Sequence, residues 1–402
     1  MPGRSLVFWL HLALGVSAGL VIGVMSLTGA LLAFEPQITE WLERDRRTVD
    51  PPPGAASLPI ETLVARAREA SGGRRPSAVT LRADPTAALL VAFGRDGGAL
   101  FVDPYRGTVL GGRSPMHRLL EEVLEWHRWL GRREIGRPIT GAANLAFLAL
   151  AVLGVYIWWP RRRTGAARRQ VTRLDLRLRG RARDFNWHNV IGIWCAPVLL
   201  VMTLTGVVMS YQWANDLLYR LTGSEPPLPG APAPPPGRAT ARAGRPDDVG
   251  PARPIPSRSL AGSDALWQRA ERQVPGWVAI TLRIPTRSDE PATFLIQEPA
   301  GWHPAPRSRL ILDPTTAEIV RWEPYAGQSL GRALRGWVRP LHTGEAAGVV
   351  GQSIALVAST GGAVLVWTGL ALAWRRFRSW RRRSSAAEYS AIGRRGQEVS
   401  AD

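Results

Sequence analysis

The sequence predicts a membrane α-helical bundle of four transmembrane helices, internally duplicated, with two small α+β extracytoplasmic domains. Three observations carry this: four long apolar runs, arginine clusters beside them, and an order of elements that occurs twice. The runs are Leu12 to Phe34, Ile139 to Trp159, Val190 to Tyr211 and Val349 to Trp374, each near the roughly 20 residues a helix needs to cross a bilayer. With their flanks they delimit expected spans at residues 6–35, 138–159, 186–213 and 347–374. The first is too long for a secretory leader and lacks a small-residue cleavage site after it, so it reads as retained.

All 51 basic residues are arginine, and the net charge is +19. They gather beside the spans, in the 160–185 loop (Arg161 to Arg163, Arg168, Arg169, Arg173) and in the 375–402 tail (Arg375, Arg376, Arg378, Arg381). That pattern is a topology signal and not a groove-reading face, so no nucleic-acid partner is expected. By the positive-inside rule, loop, tail and N-terminus are cytoplasmic in a bacterial inner membrane, leaving segments 36–137 and 214–346 outside. Trp9, Trp158, Trp159, Trp187 and Trp374 read as an interfacial aromatic belt on the cytoplasmic face of the lipid bilayer. A single cysteine, Cys195, excludes an intrachain disulfide and thiol-pair redox chemistry.

Each outer segment reads as a helix followed by strands. The first has Ile60 to Ala70, then Ala78 to Arg82, Ala88 to Phe93 and Ala99 to Val102; the second has Asp264 to Gln273, then Trp277 to Ile284, Thr293 to Gln297 and Arg309 to Leu312. Residues 225–256 are so rich in Pro, Ala, Gly and Arg that they read as a flexible linker.

The two halves match at specific residues. His11 precedes Thr28-Gly29 by 17 positions (28 − 11), and His188 precedes Thr205-Gly206 by the same 17 (205 − 188). The strand-to-turn segments Phe101-Val102-Asp103-Pro104 and Ile311-Leu312-Asp313-Pro314 also correspond, as do His127 and His342 ahead of the even spans. Both copies run in the same direction, so the repeat axis lies along the membrane normal.

Four of the six histidines therefore occupy equivalent positions at span ends: His11 and His188 toward the cytoplasm, His127 and His342 toward the outside. One interfacial histidine alone is usually a wetted amphipathic residue. Two matched pairs argue instead for ligation, because six-coordinate haem b takes one neutral imidazole nitrogen on each side of its iron. Gly15, Ala18, Gly19, Gly192 and Ala196 would admit a flat macrocycle, or equally serve ordinary helix packing. Zinc and copper fit less well, since no cluster of three or four ligands is apparent; nor is a nucleophilic triad or phosphate loop. His117, ten residues before His127, can share its helix and reach a cofactor or substrate, whereas His303, in Gly301-Trp302-His303-Pro304, reads as a loop residue.

The chain resembles the PepSY-associated transmembrane family. The resemblance rests on Trp9-Leu10-His11, Leu27-Thr28-Gly29, Glu125-Trp126-His127-Arg128-Trp129, Trp158-Trp159-Pro160-Arg161, Asn186-Trp187-His188-Asn189 and Pro340-Leu341-His342-Thr343-Gly344. It implies PepSY-like outer domains and two haem b per chain, with His11 and His188 as axial ligands on the cytoplasmic side and His127 and His342 on the outer side. It further implies an oxidoreductase that reduces a ferric siderophore or other ferric chelate outside during iron uptake, fed by a cytoplasmic or quinone donor. The 225–256 insertion and the lack of an attached flavin or nicotinamide domain depart from the family pattern. A PepSY regulatory or peptide-binding anchor needs no matched histidines, and a chelate transporter usually needs ionisable groups in mid-span, which these runs lack.

Overall fold

The computed structural model describes residues 2–94, 98–159, 169, 171–226, 263–285, 290–301 and 303–399, with side chains from 3 to 382. Most of the expected 225–256 linker and the 160–168 arginine run lie outside the described residues. The chain divides into two compact units: Met1–Ala33, Glu121–Asn215 and Val338–Asp402 form one, Phe34–Leu120 and Asp216–Trp337 the other.

The first unit is a helix bundle. Its long helices are α1 (Pro2–Leu32), α6 (Arg133–Trp158), α7 (Gly180–Ser210) and α11 (Gly348–Val399). Four stretches, Gly3–Leu32, Arg133–Trp158, Gly180–Ser210 and Glu345–Arg382, are long and apolar enough to cross a membrane. Helices α1 and α7 each pack on both α6 and α11. Large apolar side chains such as Leu20, Leu31, Val152, Trp194 and Val357 remain exposed on them, as a lipid-facing surface requires. Gly361 allows α11 to approach α7: a Cβ there would stand 2.6 Å from Cys195 Sγ.

The second unit is one antiparallel sheet with two helices on its core face. Its strands are β1 (Ala78–Arg82), β2 (Leu89–Ala92), β3 (Ala99–Val102), β4 (Val109–Gly112), β5 (Ala279–Arg283), β6 (Ala292–Gln297), β7 (Arg307–Leu312) and β8 (Ile319–Glu323). They run in the order β4-β3-β2-β1-β5-β6-β7-β8. The sequence leads one to expect two separate α+β domains; the structure joins two four-stranded halves edge to edge through β1 and β5. Pairing Val79 with Leu282 and Thr80 with Thr281 satisfies backbone groups that two isolated edges would leave open. The Thr80 and Thr281 hydroxyls meet at 2.9 Å on this seam.

Helix α4 (Ile60–Ala70) and helix α9 (Ser263–Gln273) bury Leu63, Val64, Ala67, Leu266, Trp267 and Ala270 against Val79, Leu89, Ile280, Phe294 and Leu310 in a single core. Asp264 on α9 accepts the Ile60 N–H at 2.7 Å, so one half caps the helix of the other. Outermost strands β4 and β8 are not expected from the sequence, because an edge strand without a buried alternating face carries little period-two signal. Both Asp-Pro turns are held by side chains: Asp103 Oδ1 accepts from Tyr105 N at 2.8 Å, and Asp313 Oδ1 from Thr315 N at 2.8 Å.

Shorter helices carry the remaining chemistry. These are α2 (Glu35–Leu42), α3 (Arg44–Arg47), α5 (Pro115–Trp129), α8 (Gln212–Leu221) and α10 (Leu330–Thr343). His127 and His342 stand near the C-terminal ends of α5 and α10, inside the helix-bundle unit.

Candidate functional site

Four histidines of the bundle meet as two pairs. His11 on α1 faces His188 on α7 with ring centroids 6.3 Å apart and planes at 87°. His127 faces His342 at the same 6.3 Å, with planes at 66°. Two imidazoles trans on one metal ion, with ~2.0 Å metal–nitrogen bonds and the nitrogen ~1.1 Å from the ring centre, place their centroids about 6 Å apart. The centroid separation of each pair matches that spacing.

Neighbouring hydroxyls fix which nitrogen is available. Thr28 Oγ1 donates its one proton to the Val24 carbonyl at 2.6 Å, so its lone pair must accept the Nδ1–H of His127, 3.0 Å away. The Met25 carbonyl accepts from the same Nδ1 at 3.0 Å. On the other ring, Thr205 donates to Val201 at 2.7 Å and accepts from His342 Nδ1 at 3.1 Å, with the Met202 carbonyl at 2.8 Å. At His188, Thr368 donates to Val364 at 2.8 Å and accepts from Nδ1 at 3.0 Å. In all three rings Nδ1 carries the proton and Nε2 keeps its lone pair, the arrangement a metal-binding imidazole needs. Burial, and then the nearby His342 ring, push the His127 imidazole down to about 4, and burial lowers His342 as well, so both are neutral at pH 7.

Glycine follows threonine at each of these contacts; Gly29 and Gly369 make room for a ring, whereas Gly206 makes room for the Asn144 amide, 2.8 Å from where a Cβ would stand. A Cβ at Gly29 would lie 3.3 Å from His127 Cε1, and one at Gly369 would lie 3.2 Å from His188 Cε1. A Cβ at Gly154 on α6 would lie 3.4 Å from His11 Cε1 in the same manner, but Leu153 precedes it in place of a threonine. The recurring Thr-Gly dipeptide is the signal by which sequence reading alone could have assigned Thr28, Thr205 and Thr368 a role.

At the arginine-rich end, buried Asp184 ties α7 to α11 one turn before His188. Arg183 reaches its Oδ1 at 2.8 Å and Arg375 its Oδ2 at 3.4 Å. The Arg183 guanidinium also lies over the rings of Trp187 at 5.6 Å and Trp367 at 4.9 Å. Across the bundle, Arg4 donates to the Tyr156, Ile157 and Trp159 carbonyls at 2.7–3.1 Å, satisfying the C-terminus of α6. Two of these helix ends are thus pinned where His11 and His188 meet.

The other two histidines are engaged elsewhere. His117 is buried, with Arg113 at its Nε2; the adjoining Ser114 N–H donates to Glu43 at 2.7 Å, and Glu43 in turn pairs with Arg47 at 2.6 Å. His303 is a loop residue, as expected, and it is buried: its Nδ1 accepts from Ala305 N at 3.1 Å, and its ring packs on Trp337 at 4.9 Å and Tyr325 at 5.6 Å. Among the described residues no group of three or more His, Cys, Asp or Glu side chains is arranged to hold a metal ion.

No curated protein matches the chain by sequence. A family match runs from residue 8 to residue 376, across all four long helices and both histidine pairs. By that match the chain belongs to the family described as the PepSY-associated TM region.

Proposed function

We propose that the chain holds two haem b groups, one between His11 and His188 and one between His127 and His342, and passes electrons across the membrane to a ferric chelate outside. The observation that carries this reading is the paired imidazoles at 6.3 Å, with Nδ1 of His127, His188 and His342 committed to a hydroxyl or carbonyl. Haem supplies reversible one-electron chemistry when bound. The chain's residues do the rest. The histidines would hold the iron and leave no open position for small ligands, the threonines fix ring orientation, and Gly29, Gly154 and Gly369 leave the rings room.

The two sites divide the crossing. On α1, His11 lies 17 residues (28 − 11) from Thr28, the partner of His127, a rise of about 25 Å along the helix. The arginine clusters favour a cytoplasmic location for the His11/His188 end in a bacterial inner membrane. Equal 17-residue spacings in α1 and α7 favour descent of the two halves from a duplicated unit, with the sheet halves as joined PepSY-like domains. Each ferric ion in a siderophore takes one electron to become ferrous, and its hard oxygen ligands then hold it less tightly. A cytoplasmic reductant or quinol supplies that electron.

The test is a pyridine haemochrome assay on purified protein, followed by mixing dithionite-reduced, desalted protein with ferric siderophore and ferrozine. The expected result is about two haem b per chain, and ferrous ferrozine formed in step with haem reoxidation. No haem would overturn the reading, as would reoxidation without ferrous product.

A further inference from the structure

We infer that the His11/His188 centre is electronically lopsided and that position 153 of α6 sets its reduction potential. This rests on the haem reading above. Helix α6 meets His11 as α11 meets His188: Gly154 and Gly369 each lie against a Cε1, and the carbonyls of Leu150 and Leu365 each face an Nδ1. Adding 215 to each α6 position gives its α11 counterpart (154 + 215 = 369), so Leu153 stands where Thr368 stands.

That exchange removes a hydrogen bond. Thr368 accepts the Nδ1–H of His188 at 3.0 Å, whereas His11 Nδ1 is buried with no hydroxyl beside it and only the Leu150 carbonyl near it. Of the four ligand imidazoles, His11 is the one without an Nδ1 acceptor hydroxyl. A hydrogen bond at Nδ1 pushes electron density toward Nε2 and makes that nitrogen the stronger donor to ferric iron. His188 is thus a strengthened ligand and His11 a weaker one, so the oxidised centre is stabilised less than it would be by two strengthened rings, and the potential lies higher.

The experiment is a spectroscopic redox titration of the purified haem-loaded protein and two single variants. Leu153→Thr gives His11 the acceptor it lacks. At fixed potential, the reduced-to-oxidised ratio of one haem should fall on the order of tenfold, equivalent to about 59 mV for one electron. Thr368→Val should move the same haem in the opposite direction, and the second haem should stay unchanged in both variants. A merely structural role for these positions would alter haem content without moving either potential. The inference is overturned if haem content is retained and both potentials stay put in Leu153→Thr, or if the two variants move different haems. Wild-type protein without haem would instead overturn the reading on which it rests.

Discussion

Replacing Thr205 with valine removes one oxygen from beside His342 while keeping the branched shape of the side chain. Thr205 accepts the His342 Nδ1–H at 3.1 Å, and the Met202 carbonyl accepts from the same nitrogen at 2.8 Å. The ring therefore keeps its tautomer and its better acceptor. What is lost is one hydrogen bond of about 0.5–1.5 kcal/mol, which on the proposed haem reading is an expected two- to tenfold weakening of haem affinity. Thr28→Val should cost more within that range, because the carbonyl left to His127, Met25, is at 3.0 Å and not 2.8 Å. Haem transfer to a stoichiometric excess of an apo-acceptor protein, followed by the Soret band, measures the difference. The fast-transferring haem should be one of two, since the pair at His11 is about 25 Å away along α1. Equal transfer from wild type and both variants, or loosening of both haems together, would refute the role given to these hydroxyls.

Two further outcomes follow from the same geometry. His11→Ala and His188→Ala should each remove one and the same haem, His127→Ala and His342→Ala the other, while His117→Ala and His303→Ala leave the haem spectrum intact; different spectra from two changes in one pair would break the pairing. The sheet unit should lose stability in acid. Burial would raise the Glu43 and Asp103 carboxyls, but the Ser114 N–H and Arg47 outweigh it at Glu43, the Tyr105 and Arg106 N–H groups and the Arg106 guanidinium at Asp103; Thr316 and Thr315 N–H groups lower Asp313. Folded values below the unfolded ~4 mean that this stability is present above about pH 4 and is lost as pH falls through the lowered folded values. Melting temperatures from pH 6 to pH 3 should drop below about pH 4, with a shallower drop in Asp103→Asn; parallel curves for the two proteins would refute the assignment.

Much of the architecture was already legible in the residues. A bilayer demands about 20 apolar residues per helix whatever their neighbours, so four spans can be counted from composition along the chain. Helix α4 at Ile60–Ala70 and strands such as Ala78–Arg82 follow from their local periods. The matched spacing of His11 and His188, and of His127 and His342, singled out four of six histidines because spacing is itself a sequence property. Contacts between distant segments are not written in any local period. The joining of β1 to β5, roughly 200 positions apart, replaced two expected domains by one sheet, since either edge alone looks like any other short strand. Burial of His303 against Trp337 and Tyr325 was hidden for the same reason. The hydrogen bonding of each paired imidazole was decided last and only in three dimensions: whether Nδ1 meets a hydroxyl depends on which residue of a neighbouring helix turns toward it. Thr368 does so for His188 and Leu153 cannot for His11; the two residue identities are in the sequence, but which imidazole each one faces is set only by how the helices pack.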